Sequence, residues 1–161
     1  MALPDFGVPY PVPAQPTPLD PDELADAFVA GHYEAFGRKP GSATLLETAL
    51  GIIGVENGGG RAIIQHNWGN IMADLRRWRG PFWLHPVPQG GQPAFFRAYS
   101  THRQGARAWW RLMARRHRRV LEAAARGNAV RMVRELYRSE YVVGGNRRAY
   151  ERGAASFREQ Y

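Results

Sequence analysis

The chain has 161 residues, 44% of them hydrophobic, which suits one domain with a real core and excludes a disordered polymer. It has no cysteine, so disulfides and thiolate zinc sites are excluded, while either redox compartment stays open. The net charge of +8 is unevenly placed: residues 1–56 hold two cations and eight acids (−6), and residues 57–161 hold twenty cations and six acids (+14). That excess reads either as solvated, arginine-rich helix faces or as attraction to a polyanion, nucleic acid or the acidic polymers of a bacterial wall. No apolar run approaches the roughly 18–20 residues of a membrane span. The opening MALPDFGVPYPVPAQPTPLDP lacks the basic flank and apolar stretch of a signal peptide. The protein is expected to act inside the cell or to be delivered by something else.

Seven of the twelve prolines fall within residues 1–21. Such a segment favours extended polyproline conformations. Residues 1–19 are therefore expected to form an N-terminal arm or tether, and residues 20–161 the folded domain. DPDELADAFVAGHYEAF announces the first helix, with Asp20 as N-cap, Pro21 in the first turn and Glu23 closing a capping box. A second helix is expected over 42–56, capped by Ser42 or Thr44. It is apolar on nearly all sides, the pattern of a central, buried helix, and NGGG ends it. Residues 76–100, RRWRGPFWLHPVPQGGQPAFFRAYS, read as a small irregular strand-and-loop lobe with a turn at 88–92. Helices return near Thr101, as one helix or as two broken near 115–117. Asn128 and Asn146 cap the last two. There is no internal repeat. Helices, a short β lobe and helices again make a mainly helical α+β fold with a cleft between two lobes.

Glu56 ends the apolar run Ile52, Ile53, Gly54, Val55. Burial and the partial negative charge of a helix C-terminus both raise the pKa of a carboxyl group placed there. A carboxylic acid still protonated near neutral pH is what glycosidic cleavage requires, because the leaving oxygen must take up a proton. The glycines after it leave room for a bulky substrate to approach the backbone. A glutamate at a helix end is, taken alone, more often structural, so its neighbours decide.

The ordered set of an apolar helix ending in Glu, HNWGNI, FRAYSTHRQGARAWW and YVVGGNRRAYERG resembles the glucosaminidase-type peptidoglycan hydrolases of the lysozyme-like superfamily, over residues 42–157. The resemblance implies a two-lobed lysozyme-like domain with a substrate cleft and an endo-β-N-acetylglucosaminidase activity on the β-1,4 glycan of the bacterial wall. It implies Glu56 as general acid. Asn67, Gly69, Asn70 and Ile71 match the segment lining the cleft floor, with Trp68 among them. Phe96, Arg97, Tyr99 and Ser100 match the strand leading into the next helix, and Tyr141 the late tyrosine near the reacting sugar. The late segment reads EYVVGG where the family has Gly-Tyr followed by Thr-Asp.

A conventional glycosidase sets two carboxylates across the bond. Asp74 is the only acid between Glu56 and Glu122, so it is either the second catalytic carboxylate or there is none. With none, the substrate's N-acetyl group acts as nucleophile, or the muramoyl hydroxyl closes on the anomeric carbon as in a lytic transglycosylase. Single-Glu catalysis is the expectation. Muramidase and lytic transglycosylase activities are the alternatives, as is a non-catalytic lysozyme-like module.

Other residues have plainer readings. Trp109 and Trp110 are expected as one core and one half-exposed side chain. Trp68, Trp78, Phe82 and Trp83 either pack the lobe or stack on sugars. His66, His85 and His102 are too scattered for a metal site, so no metal or cofactor is expected. RRHRR at 115–119 reads as a solvated basic face, and no nucleic-acid reader motif is present. The expected partner is the glycan strand of peptidoglycan. The proline-rich arm would suit attachment to a delivery machine such as a phage tail, with action at the wall after lysis or delivery.

Overall fold

The computed structural model describes residues 3, 6–85, 93–142 and 146–159. The turn expected at 88–92 lies outside them. In chain order the elements are β1 (Tyr10–Pro11), α1 (Pro21–Phe36), α2 (Ala43–Asn57), β2 (Pro81–His85), β3 (Ala94–Arg97), α3 (His102–Arg116), α4 (Arg118–Ala125), α5 (Ala129–Arg138) and α6 (Arg147–Arg158). The order of helices, small sheet and helices is the mainly helical α+β arrangement that the sequence indicates. Side-chain caps fix the helix starts. The Asp20 carboxylate accepts the Glu23 amide at 2.8 Å while Glu23 reaches back to the Asp20 amide, closing the capping box. Ser42, Thr101, Asn128 and Asn146 each accept the amide three residues on. Between 102 and 125 the chain makes two helices that meet at His117.

Aromatic packing holds the centre. Phe28 of α1 stacks on Trp68 at 5.3 Å and on Trp110 of α3 at 4.6 Å, and the Trp110 indole donates to the Phe28 carbonyl at 3.0 Å. Ring pairs of this kind contribute about 0.5–1.5 kcal/mol each beyond the area they bury. Both Trp109 and Trp110 are wholly buried. The expectation of one half-exposed tryptophan is corrected because α3 is covered on two sides, by α1 over Trp110 and by the chain around Gly69 over Trp109.

The sheet runs β1-β2-β3, with β1 parallel and β3 antiparallel to β2, and Trp83 is opposite Phe96. Among the described residues, the proline-rich segment is laid along the domain from Tyr10 onward and does not stand off as a tether. The amides of Val12, Thr17 and Leu19 donate to Phe82, Ile63 and Gly60 at 2.8, 2.8 and 3.2 Å. Prolines remove only their own donors, and those at 11, 13, 16 and 18 alternate with residues whose amides remain free to pair. As an edge strand, β1 tolerates Pro11.

The α2–α6 seam positions the site described next. A Cβ at Gly51 would lie 2.5 Å from the Ala154 carbonyl oxygen, and one at Gly54 2.5 Å from the Phe157 ring. Glycine in a helix interior costs about 1 kcal/mol relative to alanine. Here that cost is offset by the close approach of the two helices. Gly51→Ala is therefore expected to lower stability by about 1–3 kcal/mol through overpacking against backbone, despite its better helix propensity. Urea unfolding checks this as a lower midpoint at unchanged slope.

Candidate active site

Glu56 is the penultimate residue of α2, whose C-terminus is closed by Gly58 in the left-handed conformation (φ 59°) with its amide bonded to the Gly54 carbonyl. The next side chain, Asn57, is buried and donates to the Trp68 carbonyl, so the helix end is tied to the loop beyond it. Glu56 is partly buried. Burial pushes its carboxyl above the ordinary range, while hydrogen bonds from Tyr150 and Asn70 pull it part of the way back. The Tyr150 hydroxyl donates to Oε1, and the Asn70 amide donates to Oε2 at 3.2 Å.

Three distant segments therefore meet at one carboxyl group: the end of α2, the loop at 70 and the first turns of α6. Asn70 has φ 49°, a left-handed backbone that asparagine adopts more readily than most residues. A fourth segment stands behind them. The Tyr141 hydroxyl donates to the Gly69 carbonyl at 2.6 Å, and the charge of Glu56 helps to push its pKa up, as does burial, the larger cause. Tyr150 is pushed up by burial and by Glu56 as well. Both phenols thus stay protonated and serve as donors.

The structure sorts the residues singled out in the sequence. Asn70 touches Glu56, and Tyr141 lies close enough to feel its charge. Asn67 is buried and fully used within the protein: its amide donates to the Ile71 and Arg97 carbonyls at 3.0 and 2.9 Å, and its oxygen accepts the Ile71 amide at 2.8 Å. It is a strut that ties the loop to β3, not a surface for substrate. Trp68 is wholly buried with its face against Phe28, so neither face is open to a sugar. Gly69 is buried, and a Cβ there would meet the Tyr141 hydroxyl and the Trp109 ring, so its part is close packing. Tyr99 is 8% exposed, a wall residue of the core. Phe96 is half-buried, stacked on Trp83 at 4.8 Å and paired with Met72.

Asp74 is exposed and committed to its own turn. Its Oδ1 accepts the Arg76 amide at 3.1 Å, and Oδ2 lies 3.7 Å from Arg77. No carboxylate is among the causes that shift Glu56. Of the other half-buried or buried acids, Glu34 pairs with Arg103 and Arg107, Glu135 with Arg138, and Glu151 with Arg134 and Arg147, while Glu47 makes no ion pair among the described residues. His66 and His102, expected to be scattered, meet edge to face with centroids 4.2 Å apart. Among the described residues no group of three or more potential ligands gathers that would hold a metal ion.

Tyr150 is the residue of this candidate site that sequence reasoning missed. Its partner is 94 positions away. The available signal was indirect: small residues at Gly51 and Gly54 on α2 and at Gly153 and Ala154 on α6 mark the two faces that touch, and Tyr150 lies one turn before the second pair.

No family model matches the sequence, and no curated protein matches it. Among solved structures, the chain is similar to the glycoside hydrolase domain of FlgJ from Salmonella typhimurium, with a TM-score of 0.55, 18% identity and 88% of each chain covered. It is equally similar to a C-terminally truncated form of that domain, with a TM-score of 0.56, 18% identity, and 88% of this chain and 97% of that one covered. The fold is thus a mainly helical, lysozyme-like α+β fold shared with a glycoside hydrolase domain.

Proposed function

We propose that the chain is a glycoside hydrolase of the bacterial cell wall that cleaves a β-1,4 bond of the peptidoglycan glycan, with Glu56 as proton donor, and that its specific activity is endo-β-N-acetylglucosaminidase. One observation carries this: a half-buried carboxyl group at a helix end, kept toward its neutral form by burial and met by two hydrogen-bond donors. The fold shared with a glycoside hydrolase domain supports it. Glu56 gives its proton to the leaving glycosidic oxygen as the bond to the anomeric carbon breaks. The carboxylate left behind is held by Tyr150 and Asn70, both of which favour the charged form. With Asp74 occupied in its turn, the positive charge at the anomeric carbon is met by the substrate's own N-acetyl oxygen, which bonds to it; water then displaces that oxygen, gives a proton back to the Glu56 carboxylate and leaves the reducing sugar. Closure by a muramoyl hydroxyl is the second route open to a single glutamate. Arrival at the wall by lysis, or on a machine such as a phage tail, belongs to the same proposal. Among the described residues, Phe6 and Val8, at 62% and 55% exposure, are apolar side chains of the proline-rich segment that such a partner would meet.

The deciding experiment is a zymogram on purified walls followed by mass analysis of the fragments. Reducing N-acetylglucosamine ends are expected. Reducing N-acetylmuramic acid or anhydro ends would reassign the bond, and inert protein would remove the enzymatic reading.

Glu56→Gln is expected to abolish cleavage, with a loss of at least about 10²–10⁴-fold. The same change should raise stability at neutral pH. The native carboxyl is raised above its unfolded value of 4.5, so the folded state binds more protons between the two and loses stability as pH rises through that window. The gap in melting temperature between mutant and parent should close as pH falls below 4.5. Tyr150→Phe removes a bond that lowers the Glu56 pKa, so the alkaline limb of kcat/KM is expected to move to higher pH as the rate falls. Asp74→Asn should cost little activity. A defect approaching that of Glu56→Gln would restore a two-carboxylate mechanism.

A further inference from the structure

Between the β lobe and α3 lies a cavity of about 610 Å³, and no residue of its lining hydrogen-bonds to Glu56. Its wall holds Arg79, Arg97, Arg107, Arg111, Arg115 and Arg116, and no aspartate or glutamate. Arg107 has a distant partner in Glu34 at 3.9 Å, and Arg97 donates to the Met72 carbonyl at 3.1 Å. The other four have no carboxylate within 4.0 Å among the described residues. Cations gathered without a counter-charge repel one another and set up a field that draws in anions.

We propose that this cavity, whose lining includes none of the residues bonded to Glu56, binds the phosphodiester backbone of a polyol-phosphate polymer. Arg107, Arg111 and Arg115 occupy successive turns of one face of α3, about 6 Å apart along its axis. Three backbone bonds span about 3.8 Å, so the six bonds between phosphates in a three-carbon polyol phosphate span about 7 Å. Successive phosphates therefore fall near successive arginines. Guanidinium forks suit phosphate oxygens, and Pro81, Ala98, Ala108 and Leu112 offer the polyol carbons an apolar floor. Nucleic acid fits less well, because single-strand binding relies on free aromatic faces for the bases. Of the aromatics in the wall, Tyr99 is buried, and Trp78 has the Arg97 guanidinium over its ring at 4.6 Å.

The test uses the full chain, a labelled synthetic oligo(glycerol phosphate), a thymidine oligonucleotide and a poly-glutamate of equal charge. Arg111→Gln/Arg115→Gln is compared with Arg131→Gln/Arg148→Gln, an equal charge change on exposed positions of α5 and α6 outside the cavity. Low-salt binding of the glycerol phosphate is expected. It should weaken at least about tenfold in the cavity variant, from the loss of two charged hydrogen-bond donors, and less than about twofold in the control. Equal loss in the two variants, no binding by the parent protein, or tighter binding of either other polymer would overturn the proposal. Binding is measured without cleavage, on Glu56→Gln as well as the parent, so a wrong catalytic assignment leaves the result intact.

Discussion

The packing of α6 onto α2 is the contact on which the Glu56 centre depends. A carboxyl group at the end of an apolar helix is costly to ionise, and by itself it would be a defect. The glycines of α2 let α6 approach until its first turns reach past the helix end, which brings the Tyr150 hydroxyl onto Oε1. The opposing loop supplies Asn70 from the other side. Burial and hydrogen bonding thus act in opposite directions on the same group. The outcome is a carboxyl group whose protonated form is favoured by burial and whose carboxylate form has two hydrogen-bond donors already in place.

Much of this was written in local patterns. The caps at Asp20, Ser42, Thr101, Asn128 and Asn146 depend on residues three apart, and each formed where its sequence signature lies. The all-round apolar character of α2 marked it as central, and the position of Glu56 followed from that. Long-range pairing was less legible. Tyr150 has no local signature because its role is set by contact between helices. Asn67 and Trp68 sit in a motif that resembles a cleft floor, yet their side chains face inward, and a loop has no periodicity from which to read that direction. The proline-rich segment misled for a different reason. Composition measures what proline cannot do, while the interleaved amides decide where the chain is held.

The basic half of the molecule also divides more finely than its charge total. RRHRR is interrupted at His117, where α3 gives way to α4. Arg115 and Arg116 end up on the cavity, while Arg118 turns to Glu122 at 3.1 Å. One run in the sequence thus serves two surfaces. The acid-free stretch from 75 to 121 is what leaves the cavity wall without carboxylates.

The separation between Glu56 and Tyr150 also orders events during synthesis. Glu56, the loop at 70 and the core tryptophans are all made well before Tyr150, which completes the centre 94 positions on. Until α6 is made, the Glu56 carboxyl lacks the Tyr150 hydroxyl and the cover of the helix that carries it. The hydrogen-bonded centre is therefore complete only once α6 has docked on α2.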